Sequence, residues 1–468
     1  MPDALREPPR RRRWLGAAVV GFAGAFVVLY LRSTSAWWYE DDPLQFAAAA
    51  AMASPAAAFT DPELLRRWGT GASLVPMQVV SYWTDTHAFG VSPRAARVHD
   101  ALATIASALL VFVVLSRFGV PALSAAAASA LWLCLPATIA VHEFTSARHY
   151  MEGLAWSLAA VWALDAACRR AGAGAVGPTL LFLPCAAAAM LSKEIYAATL
   201  AAFAIPYAFA KRRYGVGAAA GLLVLGYAGY RWALLGAGAA YPQPAISGRD
   251  YLRYLGALPY TLAASPAGWV LFLVLVGAAA WALIRDPRPA ARACLLLAGV
   301  IGAGLVATFP TAPAVLLSHE TPGTWYRAVF ITSTTAWLSA AYLLGRFASA
   351  GARAAALIVA ALAVGSGTVR TRAYWQARLA RSEEEGKFYL AHPDRLVYSE
   401  EDASWFLPGL DRLYGGSRPH FVSKTERRGE RARSALRDFP AIWTYRGGRW
   451  VEDPETYAAL RRENSGPP

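Results

Sequence analysis

Long apolar runs are the feature that most constrains this chain. A helix needs about 17–25 mostly apolar residues to cross a bilayer, and we count about eleven such runs, some of them short. The composition agrees, since 56% of the residues are hydrophobic and only 16% are charged, whereas a soluble domain is about one quarter charged. We therefore expect an all-α polytopic membrane protein with about 11 transmembrane helices. The runs are roughly 14–32, 99–116, 121–139, 151–168, 178–192, 195–210, 215–236, 266–284, 292–309, 327–345 and 353–369.

The density of charge changes once, near Arg370. From there to the end one residue in three is charged, against about one in eight before it. This predicts a transmembrane catalytic module over 1–369, with a long first outer loop at 33–98, and a soluble domain over 370–468. Short strand-like and helix-like segments make the latter a small α+β domain. The four cysteines lie in apolar runs without a CxxC pair, so no disulfide framework is expected.

The positions of the basic residues predict the orientation. Arg10–Arg13 precede the first run, and the short loops of one side collect most of the remaining Lys and Arg. The positive-inside rule then puts the N-terminus in the cytoplasm and the C-terminal domain outside. Because topology explains the basic clusters, the net charge of +14 does not indicate nucleic-acid binding. The Ala- and Arg-rich composition favours a bacterial cytoplasmic (inner) membrane.

The first polar segment that suggests chemistry is Glu40-Asp41-Asp42, just after the first run. Adjacent carboxylates repel one another, which raises their pKa and suits a general base or a cation site. The alternative is a solvated loop that begins the helix after Pro43, where acids are favourable. The residues alone leave both interpretations open.

A second segment contains His142, Glu143, Arg148 and His149. The two histidines are seven residues apart, so they would share one face of a helix. The zinc motif HExxH needs a closer spacing, so a metalloprotease is disfavoured. An ordinary interfacial loop with capping groups remains the alternative.

Two further segments follow later in the chain. Lys193-Glu194 lies between two apolar runs. Two charges at a membrane boundary cost free energy unless they pair with each other or serve a function. The alternative is a short polar turn from which Lys193 extends to the membrane interface. His319 and Glu320 precede the tenth run, and Arg327 begins it. Acids and histidines concentrate on the predicted outer side, and the return of four polar segments to that side favours a functional site there.

The order of these segments resembles the GT-C class of membrane glycosyltransferases, which use lipid-phosphate-linked sugars. The resemblance is greatest to the protein O-mannosyltransferase-like group and its bacterial relatives, and it covers roughly residues 14–345. The matching segments are, in chain order, Asp41-Asp42; Leu74-Val75-Pro76-Met77 and Ser81-Tyr82-Trp83; Gly90-Val91-Ser92-Pro93 before His99; Pro136 with His142-Glu143 and Arg148; Ser192-Lys193-Glu194; and Tyr326-Arg327.

The resemblance implies roles for the acids. Asp41 would be the general base that deprotonates an acceptor hydroxyl, and Asp42 or Glu40 would position the acceptor or tune that base. Glu143 would be the second-loop acid near the reaction centre. The remaining candidates in the same loops are His142, His149, Glu194, His319 and Glu320.

The resemblance also implies a polyprenyl-phosphate-linked sugar as donor and a hydroxyl on a glycan, lipid or protein as acceptor. A departing phosphate needs cations aimed at its developing charge, and Arg148, Lys193 and Arg327 are the outer-side candidates. Direct displacement with a single base predicts inversion at the anomeric carbon. No metal-ligand set is specific enough to predict a metal site or another cofactor, although carboxylates beside a phosphate permit a divalent cation.

Two other functions remain open. A transporter would carry polar breaks within its spans and related repeats, but the apolar runs here are almost without charge and no repeat is evident. A polysaccharide ligase or polymerase would have its dominant outer loop late in the chain, whereas here the long loop comes first. A scaffold without activity would have no use for the outer acids. The lipid-dependent glycosyltransferase is therefore the leading hypothesis.

Overall fold

The computed structural model describes residues 26, 29–68, 73–170, 172–236, 248–308, 329–399, 406–414, 420–423, 427–428, 430–446 and 449–465, and these are mainly helical. The helices are α1 Asp42–Ala50, α2 Ala57–Thr60, α3 Pro62–Trp68, α4 Pro76–Phe89, α5 Pro93–Arg117, α6 Ala122–Leu133, α7 Pro136–Glu143, α8 Arg148–Arg169, α9 Val176–Ser192, α10 Ile195–Ala210, α11 Tyr214–Leu235, α12 Gly248–Thr261, α13 Gly268–Arg285, α14 Pro287–Thr308, α15 Phe330–Phe347, α16 Ala350–Ala391, α17 Phe406–Tyr414, α18 Glu430–Asp438 and α19 Pro454–Asn464. The strands are β1 Leu396–Ser399, β2 Phe421–Ser423, β3 Ile442–Arg446 and β4 Arg449–Glu452.

Within these described residues, six helices are long and apolar enough to cross a membrane: α5, α9 with the turn before it, α11, α13, α14 and α16. A seventh results if α6 and α7 are counted as one bent span. The predicted polytopic all-α fold with a small C-terminal sheet is thereby confirmed. The count of eleven spans stays a prediction, and most of the first predicted run lies outside the described residues.

Three breaks separate the helices where the polar segments lie. The axes of α6 and α7 differ by 57°, because Pro136 begins α7 and holds Leu135 in the extended conformation that precedes a proline. Phe144 is also extended and ends α7, and a 3-10 turn follows at Thr145–Ala147. Lys193 takes φ −161° and ψ 137°, which divides α9 from α10. This last break lies where the sequence predicts it.

The chain forms two compact units. The first, which we call the bundle unit, comprises residues 1–34, 56–79 and 98–375. The second, the sheet unit, comprises 35–55, 80–97 and 376–468. The charge density of the sequence does not predict that residues 35–55 and 80–97 belong to the sheet unit. It also does not predict that α16 continues without a break through residue 370. The predicted domain boundary at 369/370 stays a prediction.

Small residues allow close packing inside the bundle unit. Ala278 and Ala282 of α13 pack against Ala290 of α14 and Leu343 of α15. Gly345 packs so closely against Val120 that a Cβ there would lie 2.6 Å from the valine side chain. Such contacts replace the hydrophobic driving force that is absent between helices in lipid.

The sheet unit contains a four-stranded sheet of order β2-β1-β3-β4. β1 is parallel to β2 and β3, while β3 and β4 form an antiparallel hairpin in which Thr444 faces Val451. α18 and α19 cover the sheet through a core that includes Leu396, Ile442 and Leu460. All four cysteines of the chain are unbridged.

Candidate active site

Lys193 is held inside the bundle unit at the break between α9 and α10. Its Nζ donates a hydrogen bond of 2.9 Å to Ser73 Oγ and lies 5.5 Å from the ring centroid of Tyr150. Glu194 Oε2 is 3.7 Å from the same Nζ, and only 13% of the lysine side chain is exposed. The side chain is thus fixed by protein contacts instead of extending away to the membrane interface.

The segment that begins at Ser73 connects this break with the second polar loop. Glu194 Oε1 accepts the backbone N–H of Leu74 at 2.5 Å. Gln78, in the first turn of α4, donates from Nε2 to the carbonyl of Ser146 at 2.8 Å. The first-loop segment matched by the resemblance therefore contacts both the Lys193-Glu194 break and the turn after Glu143.

Glu143 ends α7 and is buried, with 3% of the residue exposed. Its Oε1 accepts a hydrogen bond of 2.6 Å from Ser33 Oγ. The next residue, Phe144, stacks on Trp375 of α16 with 6.1 Å between ring centroids. Arg372, one turn before Trp375, lies in the neighbourhood of the Tyr30 hydroxyl, as does Glu143. Arg372 is therefore a cation of this region that sequence reasoning missed.

Arg148 begins α8 and forms a buried ion pair. Its Nε lies 2.5 Å from Asp100 Oδ1, and the two side chains are 0% and 3% exposed. Thr145 donates to the other oxygen of Asp100 at 2.9 Å, and His99 Nδ1 lies 3.1 Å from Arg148 Nη1. Asp100 already balances the charge of Arg148, so a role for Arg148 in phosphate binding stays a prediction. Asp100 carries no sequence signal that singles it out, whereas His99 belongs to a segment matched by the resemblance.

The expectation that His142 and His149 share one helix face is wrong. His142 lies in α7 and His149 in α8, because the extended Phe144 ends the first helix. The Nδ1 of His142 is 2.9 Å from Thr104 Oγ1. His149 is buried beside the ring of Tyr150, with 4.5 Å between ring centroids.

The three adjacent acids belong to the sheet unit and have different surroundings. Asp42 is fully buried, where it accepts the N–H of Tyr39 at 3.0 Å and lies 3.7 Å from the buried Nη2 of Arg97. Asp41 is half-buried and accepts a hydrogen bond of 2.9 Å from Gln45 Nε2. Asp42 therefore acts as part of the fold, while Asp41 stays partly accessible.

Glu40 has a strained backbone. Its φ of +43° is in the left-handed region, which a side chain other than glycine rarely adopts. Strain of about 1–3 kcal/mol at one residue persists where surrounding structure imposes it, and it is enriched at functional sites. Pro43 lies in the first turn of α1, so a helix does begin at these acids, but the loop is not the solvated one of the alternative interpretation, because Asp42 is fully buried.

Distant parts of the sheet unit hold this acidic loop. Trp38 donates from Nε1 to the hydroxyl of Tyr414 in α17 at 2.9 Å. Ser382 and Arg378, both in α16, donate to the carbonyl of Trp38 at 3.0 Å and to the hydroxyl of Tyr39 at 3.2 Å. Burial raises the pKa of Tyr414 above its ordinary value near 10, so its phenol stays protonated at neutral pH.

Three of the predicted site residues, His319, Glu320 and Arg327, fall outside the residues that the structure describes. The others divide between the units: Glu143, Arg148, Lys193, Glu194 and both histidines belong to the bundle unit, and Glu40, Asp41 and Asp42 belong to the sheet unit. Within the described part of the chain, no group of three or more His, Cys, Asp or Glu side chains could hold a metal ion.

Comparison with solved structures identifies the same fold in ArnT from Cupriavidus metallidurans. The crystal structure of ArnT bound to undecaprenyl phosphate matches with a TM-score of 0.54 and 14% identity, over 96% of this chain and 95% of that one. The apo structure of the same protein matches with a TM-score of 0.51 and 14% identity, over 96% and 94%.

No family model matches the chain, and no curated protein matches it by sequence. The chain shares its overall fold with ArnT, which supports the predicted GT-C-like fold. The likeness to the protein O-mannosyltransferase-like group in particular stays a prediction.

Proposed function

We propose that the chain is an integral-membrane glycosyltransferase that transfers a sugar from a polyprenyl-phosphate donor to a hydroxyl acceptor. The fold shared with ArnT supports this proposal, because one of the matching structures holds undecaprenyl phosphate. The acceptor is a hydroxyl of a glycan, a lipid or a protein.

The buried lysine at the break between α9 and α10 is the observation that carries the proposal. Ser73 and the ring of Tyr150 hold Lys193, and Glu194 Oε2 lies 3.7 Å from its Nζ. An ammonium group fixed in a mostly buried place is a preorganised partner for a phosphate oxygen. Arg327 would supply a second cation, as the resemblance implies.

The reaction we propose has one displacement step. The acceptor hydroxyl gives its proton to the carboxylate of Asp41, and the oxygen bonds to the anomeric carbon of the sugar. The bond from that carbon to the phosphate oxygen breaks, and the electron pair stays on the polyprenyl phosphate. One displacement inverts the configuration at the anomeric carbon. As the resemblance implies, Glu40 or Asp42 positions the acceptor or tunes Asp41.

Membrane geometry supports a location at the membrane surface. A polyprenyl donor keeps its hydrocarbon in the bilayer and its phosphate at the interface, where helices begin and end. We propose a bacterial cytoplasmic (inner) membrane, with the N-terminus in the cytoplasm and the site and the C-terminal sheet outside, because the distribution of Lys and Arg follows the positive-inside rule.

The decisive experiment incubates the purified full chain in lipid vesicles with a panel of radiolabelled polyprenyl-phosphate sugars. Donor consumption is then measured for the parent chain and for Asp41→Asn and Lys193→Ala. We expect Asp41→Asn to lower turnover by at least about 100-fold, as loss of a general base does. Lys193→Ala should cost about 100-fold, as loss of one charge-stabilising donor does.

Arg437→Ala is the control, since it removes an exposed cation from α18 of the sheet unit. It should transfer sugar like the parent. Full activity of Asp41→Asn in a correctly inserted protein would refute the assignment of the base. Unchanged donor kinetics in both Lys193→Ala and Arg327→Ala would refute the assignment of the phosphate ligands.

A further inference from the structure

A cavity of about 210 Å³ lies within the bundle unit, among α5, α8, α10, α14 and α15. Among the residues that the structure describes, no charged side chain lines it, and most lining groups are aliphatic or aromatic. Leu154 and Tyr196 line the end nearest Lys193, while Phe118, Tyr207 and Tyr342 line the other end. An apolar cavity of about 150 Å³ stays dry and accepts a hydrocarbon guest, so this larger one has room for part of a hydrocarbon chain.

Cations surround the end of the cavity that is farther from Lys193. Arg117 directly precedes Phe118 and ends α5. Lys211 Nζ lies 5.6 Å from the ring centroid of Tyr207, and Arg346 lies one helical turn after Tyr342 in α15. We call Arg117, Lys211 and Arg346 the cationic collar.

Carboxylates at this end do not balance the collar. Asp165 is fully buried and pairs with Arg117 at 2.6 Å and with Arg169 at 2.7 Å, so it has two cations for one charge. Tyr207 also donates to Asp165, at 2.5 Å. Lys211 and Arg346 are exposed. The remaining charged residues where these helices end are Arg170, Arg212, Arg213, Arg285, Asp286, Arg288, Arg292 and Arg353, of which one is acidic.

We propose that this cavity and its collar bind an anionic phospholipid of the bilayer. One acyl chain would enter the apolar cavity, and the headgroup phosphate would lie between Lys211 and Arg346. Charge complementarity favours this occupant, because basic pockets between membrane helices bind anionic headgroups. The inference goes beyond the proposed reaction.

The phospholipid site is separate from the proposed donor site. The donor phosphate would bind at Lys193, before the first residue of α10, whereas the collar begins at Lys211, after its last residue. A 16-residue helix is about 24 Å long. One phosphate cannot occupy both places.

The test is native mass spectrometry of the purified full chain after equilibration with mixed micelles of phosphatidylglycerol and phosphatidylcholine. The parent chain should retain one phosphatidylglycerol in preference to phosphatidylcholine. The double variant Lys211→Gln, Arg346→Gln should weaken that preference by about tenfold or more, since each cation near the surface attracts an anionic headgroup. Leu338→Trp, which adds bulk within the cavity, should abolish retention of either lipid.

Matched controls separate these effects from general ones. Arg437→Gln with Arg461→Gln removes two exposed cations from the sheet unit, and Leu362→Trp adds the same bulk at a leucine that is 75% exposed. Both should retain phosphatidylglycerol like the parent. If Leu338→Trp does not fold, the double variant Lys211→Gln, Arg346→Gln still tests the proposal. Both of its side chains are exposed, so their substitution should leave the fold intact.

Three outcomes would overturn the proposal. The parent chain could retain no lipid or retain both classes equally. The cavity variant could fold and retain lipid unchanged. The retained molecule could be a polyprenyl phosphate that is lost with Lys193→Ala and kept in the collar variant, which would make the cavity part of the donor site.

Discussion

Lys193 donates a hydrogen bond of 2.9 Å to Ser73, a residue 120 positions earlier in the chain. This contact joins the first loop to the break between α9 and α10. Because Leu74 also donates to Glu194, two successive residues of the first loop are bonded to two successive residues of the break. These two hydrogen bonds hold the break between α9 and α10 in place. Substitutions that remove a bond or add bulk beside the break should therefore displace Lys193.

Removing the hydroxyl of Ser73 should weaken the use of the donor. In Ser73→Ala, Lys193 loses the hydrogen bond that holds its Nζ, and such a bond contributes about 1 kcal/mol. We expect the KM for the polyprenyl-phosphate donor to rise by about fivefold. Steady-state kinetics with the best donor of the panel provide the measurement. Ser434→Ala, in α18, is the control, and an unchanged KM in Ser73→Ala would contradict the role of the contact.

A methyl group at Gly153 should displace the same break. A Cβ on this residue of α8 would overlap the ring of Tyr196 and lie 3.1 Å from the Cβ of Ser192. Such overpacking costs about 1–3 kcal/mol, so Gly153→Ala should lower both the unfolding midpoint and sugar transfer. Gly177→Ala in α9 is matched, since nothing lies within 4 Å of its Cβ position. Equal stability and activity of the two variants would show that α8 and α10 can separate freely.

Asp42→Asn should act on stability more than on chemistry. The substitution removes the carboxylate charge that lies 3.7 Å from the buried guanidinium of Arg97, and breaking a buried ion pair costs about 3 kcal/mol or more. Thermal unfolding of the full chain should therefore begin at lower temperature than in Asp41→Asn, whose carboxylate is half-buried. A melting curve of Asp42→Asn that superimposes on that of Asp41→Asn would contradict the structural role.

The sheet unit should lose stability in acid through Asp453. Burial alone would raise the pKa of this carboxyl, but hydrogen bonds from Thr456 and the charge of Arg446 outweigh it and lower the pKa. Because the folded-state pKa is lower than the unfolded-state pKa of about 3.9, the ionised carboxylate stabilises the folded state at pH values above about 3.9. This stabilisation is lost as the pH falls through the folded-state pKa.

The measurement is the difference in unfolding midpoint between the parent and Asp453→Asn as a function of pH. The difference should be full at pH 7 and should diminish only below about pH 4. The exposed Asp438→Asn serves as the control and should show no such dependence. A difference that is constant from pH 7 to pH 2 would mean that the ionised carboxylate does not stabilise the sheet unit.

The sequence predicts the helical class because apolar runs and their breaks are local signals. The break at Lys193 lies where the two apolar runs meet in the sequence. Contacts across long separations leave no such signal. The pairing of Arg148 with Asp100 depends on where two helices meet, and the separation of His142 from His149 depends on one extended residue, Phe144.

The candidate site shows the same division. Polar residues in an apolar context identified Glu143, Lys193 and Glu194 as unusual, because charge near a membrane is costly. Ser33 and Ser73 are ordinary residues by type and position, and only the packed helices show that Ser33 contacts Glu143 and Ser73 contacts Lys193. The difference between Asp41 and Asp42 likewise follows from the burial of Arg97, which the spacing of the acids does not reveal.

The bond between Trp38 and Tyr414 spans 376 residues. A ribosome adds about 5–20 residues per second, so roughly 20–75 s separate the synthesis of these two partners. During that interval the loop with Glu40, Asp41 and Asp42 has none of the contacts that α16 and α17 provide. A nascent chain would therefore insert its earlier helices before this loop reaches its final structure. The acidic loop would be fully packed only after α17 has been synthesised, near the end of translation.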